Sequence, residues 1–135
     1  MAPDTHLGKL LLRTRLEWQR CGMGLTGEPV DPHFLQLARK LVPQYTMVSL
    51  PRLKKLYELG AMLAQDGPDG AVVECGVWNG GSSAMMAAGI HAQGKVRPFW
   101  LFDSFEGLPE PTDKDDAVVL ESYFPGWCTG AVDRV

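Results

Sequence analysis

Two apolar runs, AVVECGV at 71–77 and PFWLFD at 98–103, contain no regular alternation of polar and apolar residues. Runs of that kind suit strands covered on both faces, as in a parallel sheet. Between them SSAMMAAGIHAQ is built of good helix formers. Strand, helix and strand in so short a span make a βαβ unit, expected to cross over with the right hand. This unit limits the chain to an α/β class. The expectation places Trp100, Phe99 and Phe102 in a core, Cys75 as a small buried hydrophobe, and Met85 and Met86 in the gap between helix and sheet.

Upstream the pattern is helical. Leu7, Leu10, Leu11 and Trp18 recur at helical spacing among Lys9, Arg13, Arg15 and Arg20, which places the arginines on a solvated side. Cys21 to Pro32 is rich in Gly and Pro and reads as a loop. HFLQLARKLV at 33–42 is a second helix, closed by Pro43. A third starts where Ser49 can cap and Pro51 falls in the first turn. Its inner face carries Leu53, Leu56, Tyr57, Gly60 and Leu63. DGPDG at 66–70 ends it. Downstream, LPEPTDKDDAV is an acidic loop, and ESYFPGWCTGAVDRV holds the first turns of another helix. The domain reading is a helical segment over 1–44 and the beginning of a ligand-binding α/β domain over 45–135.

Ligands of open α/β sheets lie beyond the carboxyl ends of the strands. Here that mouth is ECGVWNGGSS, residues 74–83. Gly76 and Gly80 permit a tight turn and a close backbone approach. Ser82 and Ser83 are placed to cap the next helix, whose start attracts a carboxylate or a phosphate. A dinucleotide fingerprint would need glycine where Trp78 stands, and Glu74 would repel a pyrophosphate. The same carboxylate suits an ammonium group. Glu-x-Gly-x-x-x-Gly therefore favours S-adenosylmethionine, which brings an ammonium, a carboxylate and a sulfonium. Asp103, ending the second strand, can accept hydrogen bonds from ribose hydroxyls, with Ser104 and Phe105 flanking the adenine. Trp78 has two readings of equal standing: a ring stacked near the ligand, or a plug beneath the loop.

From about Tyr45 to Val135 the sequence resembles the macrocin O-methyltransferase family of sugar O-methyltransferases. The resemblance rests on TMVSLPRLKKLY, VVECGVWNGGSSAMM, WLFDSFEGLPEPT and, more faintly, WCTGAVDRV. It implies a Rossmann-like class I methyltransferase fold, truncated here after the first βαβ unit. It also implies S-adenosylmethionine as methyl donor, a divalent metal, usually Mg2+, and a sugar hydroxyl of a natural product as acceptor. Carried over, Glu74, Gly76, Val77, Trp78, Gly80 and Ser82 match the cofactor loop, and Asp103 matches the ribose acid. Thr46, Met47 and Ser49 match a segment that approaches the cofactor. Family members are longer, and their metal ligands and base lie beyond the position of Val135. The expectation is an incomplete, inactive fragment with no assignable base or metal ligand.

Composition narrows the partners. With 16 Asp and Glu against 13 Lys and Arg and no basic block, a nucleic-acid or polybasic membrane partner has no electrostatic footprint. No apolar stretch reaches membrane-spanning length. Three cysteines without C-x-x-C spacing fit a reducing cytoplasm better than a disulfide or zinc scaffold. Asp113, Asp115 and Asp116 read as a solvated loop face, and His6, His33 and His91 as surface or helix residues. Two strands alone leave edges and faces open, which admits a homo-oligomer. A non-catalytic adenosyl- or nucleotide-binding module is the alternative function, and a nicotinamide oxidoreductase a weaker third.

Overall fold

The computed structural model describes residues 31–135; the expected helix at 7–20, with His6 and Cys21, lies outside them. Helix α1 (Pro32–Leu41) starts one residue before the expected His33. Asp31 caps it by accepting the His33 amide at 2.8 Å, and Pro32 takes the first helical position, where no N–H is needed. Arg39 and Lys40 lie in its last turn, the negative end of the helix dipole. The chain then turns through a cis Val42–Pro43 bond.

Helix α2 (Leu50–Asp66) has Ser49 at its N-cap and Pro51 in the first turn, although the Ser49 hydroxyl makes no capping bond. It buries Leu50, Leu53, Tyr57, Gly60 and Ala64, a single face at helical spacing. Strand β1 (Val72–Cys75) leads through the glycine turn into α3 (Gly81–His91), and β2 (Phe99–Phe102) follows. The strands pair in parallel, Val72 opposite Phe99 and Cys75 opposite Phe102. This is the expected βαβ unit. The acidic loop is shorter than expected, because α4 (Ala117–Ser122) begins where the Asp116 carboxylate accepts the Val119 amide. A 3-10 turn, Val132–Arg134, ends the chain.

The core lies among helices. Phe34, Ala38 and Leu41 of α1 meet Leu50, Leu53 and Tyr57 of α2 and Met85 of α3. Phe34 and Tyr57 stand edge to face with centroids 5.9 Å apart. Met85 thus belongs to the helical cluster and not to the helix–sheet gap; Met86 does face the strand side, beside Val72 and Glu74. Helices α2 and α3 approach closely because neither carries a side chain at the crossing. A Cβ on Gly60 would strike the Met86 carbonyl oxygen, and one on Gly89 the Tyr57 carbonyl oxygen.

The expectation of strands buried on both faces fails on one face. Val72, Glu74, Phe99 and Leu101 are half-buried, but Val73, Cys75, Trp100 and Phe102 are exposed, Trp100 at 59%. Side chains alternate along a strand and the register is parallel, so these four share a face. No element among the described residues covers it. Cys75, Trp100 and Phe102 are therefore not core residues here.

Candidate functional site

The turn after β1 is held from beneath by the end of β2. Gly76 donates to the Phe102 carbonyl at 2.8 Å, extending the strand ladder. Asp103 Oδ2 then accepts the amides of Val77 at 2.7 Å and Trp78 at 2.8 Å, while Oδ1 accepts Phe105 at 2.8 Å. These amide bonds, that from Trp78 foremost, hold its carboxyl below the usual aspartate range. The turn needs such a clamp. Gly76 has φ +85° and Trp78 φ +50°, left-handed backbone that a side chain ordinarily avoids.

Gly80, φ +79°, is the N-cap of α3, a conformation its lack of Cβ permits. Ser82 and Ser83 therefore do not cap: they sit inside the first turn. The Ser83 hydroxyl instead donates to Glu74 Oε2, fixing that carboxylate at the mouth of β1. The Gly81 amide donates to the Tyr45 carbonyl at 2.9 Å. Asn79, buried between the two glycines, ties three segments together. Its Nδ2 donates to the Gln44 carbonyl at 3.1 Å and its Oδ1 accepts the Ala131 amide at 3.2 Å. The Trp78 indole N–H adds a bond to the Thr129 carbonyl at 3.1 Å.

Above this turn opens a cleft of about 530 Å3, between the 42–52 segment and the β1 mouth. It brings together eight of the residues singled out in the sequence: Thr46, Met47, Ser49, Glu74, Gly76, Val77, Trp78 and Ser82. Four lie elsewhere. Gly80 packs toward Val135, and Asp103, Ser104 and Phe105 lie outside the lining. Trp78 lines the cleft, and its ring nitrogen is tied to Thr129. The sequence reading missed Tyr45, Arg52 and Asn79. Only the Asn-Gly pair at 79–80 and the basic residue in the first turn of α2 hinted at them.

Other candidates are structural. Asp115 accepts the Thr112 amide at 2.8 Å within a turn, and Asp116 caps α4. His33 and His91 are exposed. Among the described residues no group of three His, Cys, Asp or Glu is arranged to hold a metal. Nor is any helix among them long and apolar enough to cross a membrane.

Comparison with known proteins adds the decisive observation. The sequence profile described as Macrocin-O-methyltransferase (TylF) matches residues 37–123, from within α1 to just past α4. The chain belongs to the macrocin O-methyltransferase family. It is 45% identical over 97 residues to the 8-demethyl-8-(2,3-dimethoxy-alpha-L-rhamnosyl)-tetracenomycin-C 4'-O-methyltransferase of Streptomyces olivaceus, covering 70% of this chain and 37% of that protein. It is 40% identical over 104 residues to the mycinamicin III 3''-O-methyltransferase of Micromonospora griseorubida, covering 72% of this chain and 41% of that protein. A demethyldecarbamoylnovobiocin O-methyltransferase of Streptomyces niveus matches at 31% over 67 residues, covering 49% of this chain and 26% of that one. The chain thus spans about 40% of the length of the first two macrocin O-methyltransferase relatives.

Proposed function

We propose that this chain is the donor-binding portion of an S-adenosylmethionine-dependent O-methyltransferase with a Rossmann-like fold. Its acceptor would be a hydroxyl of a sugar-bearing natural product. The family match and the names of the relatives support the reaction class. The observation that carries the ligand is the use of the turn amides. In a dinucleotide site free backbone amides face the pyrophosphate. Here those of Val77 and Trp78 are taken by the Asp103 carboxylate, which would also repel a phosphate. Nicotinamide dinucleotide is disfavoured for the same reason.

A cleft of about 530 Å3 with mixed polar and apolar lining supports a ligand of the size of an adenosyl amino acid. Glu74 would receive the ammonium, and Thr46, Ser49 and Ser82 present hydroxyls along the same walls. Asp103 holds the turn first. Its two oxygens already accept three turn amides, so any contact with a ribose hydroxyl would be secondary to that role. When bound, the donor supplies an electrophilic methyl group on sulfur. Glu74 is the one carboxylate among the described lining residues, and the proposal commits it to the donor. Deprotonation of the acceptor is therefore assigned to a group outside the described lining residues.

Calorimetric titration of the chain with S-adenosylhomocysteine and with NAD tests the reading. Binding of the former alone is expected. Binding of NAD alone would overturn it and favour the nucleotide-module alternative.

A further inference from the structure

We propose that Arg52 receives the carboxylate of the donor's amino-acid tail, in the cleft that Glu74 also lines; this rests on the donor reading above. At the start of α3, the expected home of that carboxylate, the Tyr45 carbonyl roofs the first amide. The Gly81 amide donates to the Tyr45 carbonyl at 2.9 Å, and the Gly80 amide to the Val77 carbonyl at 3.0 Å. The negative end of a carbonyl dipole faces the place where an anion would sit. Gly81 permits this roof, because a Cβ there would collide with Tyr45 and Thr46.

The cleft offers another cation. Arg52 is the one lysine or arginine among its described lining residues. It stands on the first turn of α2, fixed by the buried Leu50 and Leu53 on either side of it. Lys54 and Lys55 further along the helix both pair with Glu58, at 3.1 and 2.8 Å. Arg52 has no such partner among the described residues. Its planar fork matches a carboxylate in two parallel hydrogen bonds, which an ammonium cannot do. Glu74 has one oxygen bound by Ser83 and the other available to an ammonium group. A carboxylate and a guanidinium lining one cleft match the two charges at the zwitterionic end of an α-amino acid.

The test uses two ligands, S-adenosylhomocysteine and the amine left when its carboxyl group is removed. In titration calorimetry on the full chain, Arg52→Gln is expected to weaken S-adenosylhomocysteine by at least about tenfold, the low end for a charge-assisted hydrogen bond. The decarboxylated amine should bind wild type and Arg52→Gln equally, and Arg52→Lys should recover part of the loss. Circular dichroism checks that each variant keeps its helices. Equal weakening of both ligands by Arg52→Gln, or weakening of neither, would overturn the assignment while the donor reading stands. Failure of wild type to bind S-adenosylhomocysteine would overturn both.

Discussion

The Trp78 amide lies 2.8 Å from the Asp103 carboxylate, and the bond joins the mouth of one strand to the end of its neighbour. Trp78 has left-handed backbone, so the bond holds a residue where unaided chain would not stay. Asp103→Ala frees the Val77, Trp78 and Phe105 amides together. A lower melting temperature is expected, with loss of S-adenosylhomocysteine binding in calorimetry. Asp103→Asn, which keeps one acceptor oxygen, should fall between.

Acid should loosen the same clamp. Asp103 and Asp31 are both held below the usual carboxylate range, Asp103 chiefly by the Trp78 amide and Asp31 chiefly by the Tyr57 hydroxyl. A lowered folded-state value stabilises the fold above the unfolded value of about 3.9 and is lost as pH falls through the lowered one. Thermal melts between about pH 6 and about pH 2 should show this loss, reduced in Asp103→Asn.

At the alkaline end the sign reverses. The Tyr57 hydroxyl donates to Asp31 Oδ2 at 2.7 Å, and burial together with that carboxylate pushes its pKa to about 12. Its contribution is complete below the unfolded value of about 10 and disappears as pH rises through the folded one. Tyr57→Phe should cost about 1 kcal/mol at neutral pH, read by urea melts, and should remove this part of the alkaline transition.

The α2–α3 crossing tolerates no added methyl. Gly89→Ala gains up to about 1 kcal/mol in helix propensity but drives a Cβ into the Tyr57 carbonyl. Overpacking against backbone costs about 1–3 kcal/mol, so a net destabilisation is expected in denaturant melts. Ala87→Gly, on the same helix and half-buried, is the control for propensity alone.

Arg97 closes the far end of α2. Its guanidinium donates to the Leu63 carbonyl at 2.8 Å and the Gly67 carbonyl at 3.2 Å, and also bonds the Pro68 carbonyl. A cation at a helix C-terminus also complements the dipole. Arg97→Ala should lower stability by about 1–2 kcal/mol in the same melts, with Arg97→Lys intermediate.

Much of this architecture was legible in the sequence because local signals and tertiary demands agree. Pro51 behind Ser49, the Leu53–Tyr57–Gly60 stripe and the two apolar runs each name an element that forms. Apolar content alone could not say which strand face would be covered, since Val73 and Trp100 read like Val72 and Phe99. The misreading of Ser82 and Ser83 has a different origin. Serine is a good cap in general, but Gly80 reaches the left-handed backbone first, and Ser83 is then free to bind Glu74. Asp103 was legible as a carboxylate at a strand end. Its use by the turn amides depends on the register of β1 and β2, which pattern does not encode. Arg52 and Asn79 left only faint local signals because their roles arise from segments distant in sequence.

Asn79 links Gln44 on one side of the glycine turn to Ala131 on the other through the two ends of a single amide. The three segments are thereby tied to one another through one side chain. An incoming molecule meets a floor already set and surrenders little conformational freedom to shape it, so affinity at this site should be governed by contacts rather than by the cost of ordering the loop.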